Sequence, residues 1–465
     1  MSLVSRQDAP RAFTERPHGP HLEDIVAAFT CRMTSLLRAL GPVAAALTLS
    51  PLAISAAYAA SVDNPADAAV DAPVADNVVF IGLDGFDVEY LDDAPMPNLQ
   101  RLLRRGSVTT STGVMGSITN PSWSSVATGA WPERHLNTAY VYDPASGVAR
   151  GQERDLAVPT IAEAVRAQGG IVMSAQWFIL QNHGTAYGDP QGIYTQPGGN
   201  CARRVDDAVA VIEGRPVRSG STTVSAPQIP DLIAVYCDTL DVIGHQGGDR
   251  DPRIPAALQE LDAQIGRVVA ATREADIYGR TTFVITGDHG MSTFSHGFGQ
   301  DVIDAVADAG YQAEFLSSGQ APQPGTDAVI VVGGIGSLHL VGDAANDHDA
   351  KARIQAALEA LPHISKVFDK SDQQAMHMSP RFGDLVIQPE QGWSLGADPA
   401  GGVAGRHGAT TELEVPLVLA GAGVLPGVEP IHPRHVDIAP TIAAVLGIAP
   451  PSGTQGRVLT ESIRD

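Results

Sequence analysis

Four short runs along the chain are almost wholly apolar: Val78–Leu83, Leu232–Tyr236, Thr282–Thr286 and Val415–Ala420. Runs of this length without polar alternation predict strands covered on both faces. Between them the spacing predicts helices over Pro97–Arg105, Val158–Gln168 and Ile254–Thr272, the last with Ala256, Leu258, Leu261, Ile265 and Val268 on one side. Strands and helices alternate, so the expected fold class is α/β, a mostly parallel central sheet flanked by helices. A further strand is expected at Ala328–Val332, a helix at Lys351–Leu361 and an apolar run at Asp384–Ile387.

The first 77 residues break this rhythm. Leu36–Ala60 has one charge, Arg38, then an apolar stretch, then small residues ending in Ala57-Tyr58-Ala59. That order is the pattern of a secretory signal, with cleavage expected near Ala59–Ala60. Gly41, Pro42, Ser50 and Pro51 interrupt it, leaving no run of ~20 clean apolar residues for a membrane span. Two readings of the polar residues ahead of Met33 stay open: translation begins at Met33, or the n-region is unusually long. Residues 60–77, rich in Ala, Asp and Pro, are expected to be a flexible linker. The mature protein is therefore expected to be exported, periplasmic or extracellular, without a membrane anchor once residues 1–59 are removed.

Charge narrows the partners. Against 30 Lys and Arg stand 52 Asp and Glu, a net charge of −22 over 465 residues. A chain this acidic does not take a nucleic-acid polymer as its main partner, because such binders need a basic face. A small anionic substrate requires a local reversal of the field, which a bound metal supplies. Cys31 falls in the leader, leaving Cys201 and Cys237; export allows them to pair, and two free thiols are the other reading. No Cys-x-x-Cys is present, which excludes a thiolate metal site.

The chemistry lies just after the strands. Asp84-Gly85 follows the first run, Asp238, Asp241 and His245 follow the second, and Gly287-Asp288-His289-Gly290 follows the third. Ligands of open α/β sheets bind at the carboxyl ends of strands. Any one of these groups alone reads as a turn, but three strand ends bearing Asp, or Asp with His, form a constellation. Carboxylates mixed with imidazoles suit Zn²⁺ better than Mg²⁺ or Ca²⁺. The segment Gly116–Gly129 adds a nucleophile: Asn120 is expected as an N-cap, Pro121 in the first turn and Gly129 at the end of a helix. Thr119 then presents a hydroxyl beside the amides and positive dipole of the helix N-terminus, where phosphate binds. Threonine becomes nucleophilic only if a metal lowers its pKa; without one, Thr119 reads as part of a capping motif.

These residues, in order, resemble the alkaline phosphatase superfamily. The motifs are Ile81-Gly82-Leu83-Asp84-Gly85-Phe86, Thr119-Asn120-Pro121-Ser122-Trp123 with Thr128-Gly129 and Pro132, Asp241-Val242-Ile243-Gly244-His245, Gly287-Asp288-His289-Gly290-Met291 and Arg406-His407-Gly408. The branch they are most similar to is type I phosphodiesterase/nucleotide pyrophosphatase, with phosphonoacetate hydrolase nearby, and the tail Val436–Ile448 also looks like the superfamily's last helix. The resemblance implies two Zn²⁺, with Mn²⁺ a possible occupant. One ion would be held by Asp84, Thr119, Asp288 and His289, the other by Asp241, His245 and His407. It implies that Thr119 attacks phosphorus and forms a phosphothreonine. His407 is preferred over His296 as the third histidine because it precedes the strand at Val415, whereas His296 follows Asp288-His289 too closely to come from another strand end. The resemblance also implies an alkaline phosphatase-like core over 78–296 and 401–465, interrupted by a smaller inserted α+β cap over 297–400. Where the family places an Asn ahead of Tyr-Asp-Pro to hold a phosphoryl oxygen, this chain is one residue short before Tyr142-Asp143-Pro144. Asn137 or Tyr140 takes that place.

The expected function is a secreted two-metal phosphodiesterase/nucleotide pyrophosphatase acting on a small phosphorylated substrate. A phosphomonoesterase and a phosphonoacetate-type hydrolase are the enzymatic alternatives. A non-catalytic metal-binding recognition module is the alternative of another class. Oligomeric state is left open.

Overall fold

In the computed structural model, which describes residues 72–464, the four apolar runs are neighbours in one sheet. Its strands are β1 (Asn77–Leu83), β2 (Gly106–Thr112), β3 (Val172–Ala175), β4 (Gly192–Thr195), β5 (Leu232–Cys237), β6 (Thr281–Thr286) and β7 (Glu414–Gly421). They lie in the order β2-β7-β6-β1-β5-β3-β4. β6, β1, β5, β3 and β4 run parallel, while β7 runs antiparallel to both β6 and β2. The protein is thus α/β with a mostly parallel central sheet flanked by helices. The signal sequence expected over residues 36–60 lies outside the described residues.

Two-residue periodicity explains why the strands are apolar throughout. Val79, Ile81 and Leu83 of β1 face a core built with helices α1 (Pro97–Leu103), α4 (Cys201–Ile212) and α6 (Ile254–Glu274). Val78 and Phe80 face the opposite core, built with α2 (Thr119–Thr128), α3 (Ile161–Ala167) and α9 (Ile438–Val445). On that second face Phe80 stacks on Trp177 at 4.2 Å, and Trp123 of α2 meets Phe80, Trp177 and Tyr236 edge-on. Trp123 comes so close to β1 that a side chain on Gly82 would lie 2.8 Å from its ring. This contact seats α2 against the sheet.

Two helices begin elsewhere than the pattern predicts, each for a visible reason. α3 starts at Ile161 rather than near Val158, because Thr160 and Glu163 form a reciprocal capping box. α2 starts at Thr119, with Ile118 at the cap and Asn120 inside the first turn. The capping expected of Asn120 is done from outside the helix: its backbone N–H donates to Gln152 Oε1 at 3.1 Å, and its side-chain amide donates to the Glu153 carbonyl. Gly129 ends α2 in the left-handed conformation, as predicted.

A second layer is built from α7 (Gly299–Asp308), α8 (Ala350–Glu359) and a five-stranded sheet. Its five strands, Ala313–Phe315, Ala328–Gly333, Ile335–Leu340, Leu385–Pro389 and Ile364–Phe368, are adjacent in that order and enclose their own core around Ile330, Leu338 and Ile354. At the other end, Val74 and Ala75 already bond to the carbonyl of Val445, so the chain is docked before β1 begins. Cys201, opening α4, and Cys237, closing β5, form a disulfide. Among the described residues no helix is long and apolar enough to cross a membrane.

Apart from those at the strand ends, three histidines are buried in this framework. Burial pushes His135 and His435 down to about 3 and His339 down to about 4. Each is neutral in the folded state and takes up a proton on unfolding below ~6.5, so its contribution to stability falls as pH drops from 6.5 towards the folded value. Replacing His435 by Gln should therefore make the loss of urea resistance between pH ~6.5 and ~4 shallower than in the wild type. Parallel curves would show that His435 has no part in it.

Candidate active site

The register of the sheet brings the chemistry together. Gly82 pairs with Thr286 and Leu83 with Cys237, so β1, β5 and β6 end level with one another. Asp84 leaves β1 with its N–H on the Cys237 carbonyl at 2.8 Å, and Asp241, in the first turn of α5 (Thr239–Gly247), donates its N–H to the Asp84 carbonyl at 3.1 Å. Asp288 Oδ1 accepts the Gly85 N–H at 3.0 Å. Gly85 has φ +72, and a Cβ there would lie 2.9 Å from the Asp241 backbone, so this crossing requires glycine.

Because β7 is antiparallel, its beginning lies where β6 ends. The segment ahead of it therefore returns to the same edge of the sheet. A polar staple fixes that return. His407 Nδ1 bonds to the Ser117 carbonyl at 2.8 Å, the Gly408 N–H donates to Ser117 Oγ at 3.1 Å, and Ser117 Oγ donates to the Ala409 carbonyl at 2.9 Å. His407 is thereby tied to the strand-to-helix segment two residues before Thr119.

All seven expected residues meet. Asp84, Asp288 and His289 form one group able to hold a metal ion, and Asp241, His245 and His407 form another. The groups adjoin, since the rings of His289 and His407 stack at 3.5 Å. Thr119 Oγ1 stands 3.4 Å from His289 Nε2, which puts the nucleophile candidate against the first group. His296 is elsewhere, exposed and tilted against Trp393.

The donor atoms fit a divalent ion. The three histidines hold Nδ1 on backbone carbonyls, His245 on Gly405 at 3.1 Å, His289 on Gly290 at 2.9 Å and His407 on Ser117 at 2.8 Å. This leaves each Nε2 as the free, ligating nitrogen. His245 Nε2 and His407 Nε2 face each other at 3.2 Å, close enough for both to reach one cation. Every carboxylate also aims an unpartnered oxygen inward: Asp84 Oδ1, Asp241 Oδ1 and Asp288 Oδ2 are buried without a hydrogen bond. Such oxygens are rare unless an ion satisfies them.

Electrostatics follows from this crowding. Burial pushes the carboxyls of Asp84 and Asp288 well above their usual range; the Asp241 charge adds to this at Asp84, and the Asp84 charge adds to it at Asp288. Burial pushes Asp241 up as well, but the His245 imidazole, 3.3 Å from its Oδ1, and the charges of His407 and His289 outweigh it and hold Asp241 at about 2. The closeness of the Asp241 carboxylate in turn raises His245 to about 9. Burial lowers His289 and His407.

Other expected participants have different partners. Asp238 pairs with the buried Arg204 at 2.8 Å. The Asn137 amide nitrogen donates to the carbonyls of Glu153 and Asp155 at 3.0 and 3.1 Å, so it has no free donor directed at a ligand, and its Oδ1 is unpartnered. Tyr140, with φ +55, lines a cavity in the second layer. Neither hydrogen-bonds to any of the seven. Two contributors are unexpected. The Tyr236 hydroxyl donates to Asp84 Oδ2, fixing that carboxylate from below, and Gln152 holds the first turn of α2. Tyr236 ends an apolar run, where its ring reads as core; the sequence carries no signal that its hydroxyl serves Asp84.

Comparison with known proteins gives a consistent result. The pattern described as type I phosphodiesterase / nucleotide pyrophosphatase matches residues 78–410. The bis(5'-adenosyl)-triphosphatase enpp4 of Xenopus laevis is 23% identical over 397 residues, covering 81% of this chain and 79% of that protein. Human ectonucleotide pyrophosphatase/phosphodiesterase family member 7 is 24% identical over 234 residues, 46% of this chain and 48% of its own. Among solved structures, murine ectonucleotide pyrophosphatase/phosphodiesterase 5 superposes with a TM-score of 0.61 at 16% identity, covering 80% of this chain and 95% of that one. The same murine protein is also known as an inactive threonine-to-alanine variant in complex with AMP, with equal coverage, identity and TM-score.

The raised value of His245 sets an expectation for metal binding. At neutral pH without metal, a proton occupies the nitrogen that an ion would take, so binding must release it and affinity must rise with pH up to about 9. The gain in Tm on returning Zn²⁺ to chelator-treated protein should be larger at pH ~8 than at pH ~6. Equal gains would mean that His245 is not displaced from its proton.

Proposed function

The chain belongs to the type I phosphodiesterase/nucleotide pyrophosphatase family, and from that premise we propose that it is a secreted two-metal phosphodiesterase acting through Thr119. The observation that carries the reading is the convergence of three inward, unpartnered carboxylate oxygens and three Nε2-presenting histidines beside the Thr119 hydroxyl.

Asp84, Asp288 and His289, with Thr119, would hold one ion, and Asp241, His245 and His407 the other. The mixed carboxylate and imidazole set favours Zn²⁺, with Mn²⁺ as the alternative. Two such ions supply the positive charge that makes a threonine hydroxyl nucleophilic and neutralises phosphoryl oxygens. The chain's own residues do the rest. Tyr236 and the Gly85 N–H orient Asp84 and Asp288. The Ser117 staple holds His407 in place relative to Thr119. The Thr119 Oγ–P bond forms as the bond from phosphorus to the leaving alkoxide breaks, the Thr119 proton leaving with the alcohol; water then displaces Oγ from phosphorus, its oxygen going to the phosphate product and one of its protons restoring the Thr119 hydroxyl. The inactive threonine variant of the murine relative, complexed with AMP, is in keeping with this role and with a nucleotide-like substrate.

Residues 297–400 would act as the cap over this site. Asn137, with its amide nitrogen already committed, is a scaffold for the loop at 153–155, which leaves Tyr140 as the substrate contact of the pair. Export is supported by the Cys201–Cys237 disulfide, since such bonds persist in oxidising compartments.

Bis(p-nitrophenyl) phosphate should be turned over faster than p-nitrophenyl phosphate, and chelation should abolish both activities. Thr119→Ala should lower kcat by on the order of 10⁴ while leaving bound metal in place. Faster monoester turnover would identify a phosphomonoesterase instead, and an active Thr119→Ala protein would remove the covalent step. Bound zinc without hydrolysis of any ester would favour a recognition module.

A further inference from the structure

The second layer contains a cavity of about 730 Å³ that the proposed chemistry does not use. Its wall is mostly apolar, formed by Ile303, Phe315, Leu316, Val331, Val332 and the ring of Tyr140. Asp301 is the one charged residue on it, and no Lys or Arg lines it. Of its polar groups, the Gln300 amide is already bonded to Asp304 at 2.8 Å. The size falls within the ~300–1,000 Å³ typical of small-molecule sites.

Tyr140 connects this cavity to the candidate active site from two sides. Its N–H bonds to the Gly151 carbonyl at 3.4 Å, and the next residue, Gln152, holds the N–H of Asn120, the neighbour of Thr119. Its ring lies against Gly333 so closely that a Cβ there would fall 2.0 Å from Tyr140 Cδ2. The following glycine, Gly334, has φ +86, and a Cβ on it would be 1.6 Å from the His407 carbonyl oxygen. Tyr140 itself holds a left-handed backbone at φ +55, a conformation that an aromatic residue keeps only when its surroundings impose it. One side chain thus forms a partition between the cavity and the segments that carry Thr119 and His407.

We infer that this cavity is the subsite for an uncharged alkyl substituent of the substrate, with Tyr140 as the wall that positions it. The inference rests on the phosphodiesterase reading and specifies which diesters that enzyme prefers. A second phosphate would meet Asp301 and no cation, whereas an alkyl chain would cover apolar wall that water now wets.

The test is a homologous series of p-nitrophenyl alkyl phosphates, methyl, butyl and octyl, with the p-nitrophenyl ester of thymidine 5'-phosphate as comparison. kcat/KM should rise about twofold to fourfold per added methylene until the cavity is filled. The octyl-to-methyl ratio should fall towards one in Phe315→Ser and in Ile303→Asn; a ratio is unaffected by the fraction of a variant that folds. A flat alkyl series in the wild type, a large gain for the nucleoside ester alone, or a ratio unchanged in both variants overturns the assignment. A wild type that hydrolyses no member of the series, methyl included, overturns the phosphodiesterase reading itself, and the subsite assignment with it.

Discussion

Three carboxylates, two buried and one half-buried, each with an inward oxygen that makes no hydrogen bond, set the terms for this fold. Asp84 and Asp288 are almost wholly withdrawn from water and repel each other, and leaving charge so placed is destabilising unless opposite charge is delivered to it. The protein places imidazole nitrogens beside these oxygens with their other nitrogens anchored to backbone carbonyls. That arrangement costs stability in the bare protein and becomes favourable when cations are bound. The positions of Tyr236, Ser117 and Gly85 follow from the same requirement, since each fixes an atom whose displacement would break the geometry.

The sheet turns this local requirement into a long-range one. Level strand ends supply Asp84, Asp241, Asp288 and His289 from three parallel strands, a delivery that needs only register. His407 requires more, because a fourth parallel strand would have placed the segment preceding it at the opposite edge. Reversing β7 solves this, and the Ser117 staple converts approximate proximity into a fixed position relative to Thr119. The acidity of the chain as a whole is compatible with an anionic substrate for the same reason: the field that matters is local.

What was legible in the sequence follows from which interactions are local. Asp84, Asp288 and His289 could be found because each stands directly after an apolar strand, and His407 because it stands shortly before one. The strands themselves were legible because both of their faces are buried, which leaves no polar interruption. Tyr236 was not, since its hydroxyl serves a carboxylate 152 residues away and its ring reads as core. The start of α2 was misplaced because Gln152, far along the chain, accepts a first-turn N–H, while the Asn120 side chain that has the chemistry to cap is spent on the Glu153 carbonyl. The cavity behind Tyr140 was invisible because its wall is assembled from segments near 140, 300, 315, 331 and 395, none of which carries a motif.

The reversed strand also orders events in time. β2 sits at the edge of the central sheet and pairs only with β7, which leaves the ribosome roughly three hundred residues later, a delay on the order of half a minute at ~5–20 residues per second. Throughout that interval β2 is a strand without a neighbour. Its sequence, Gly-Ser-Val-Thr-Thr-Ser-Thr, carries hydroxyls at five of seven positions and one large apolar residue, so little apolar surface goes uncovered while β7 is still unmade.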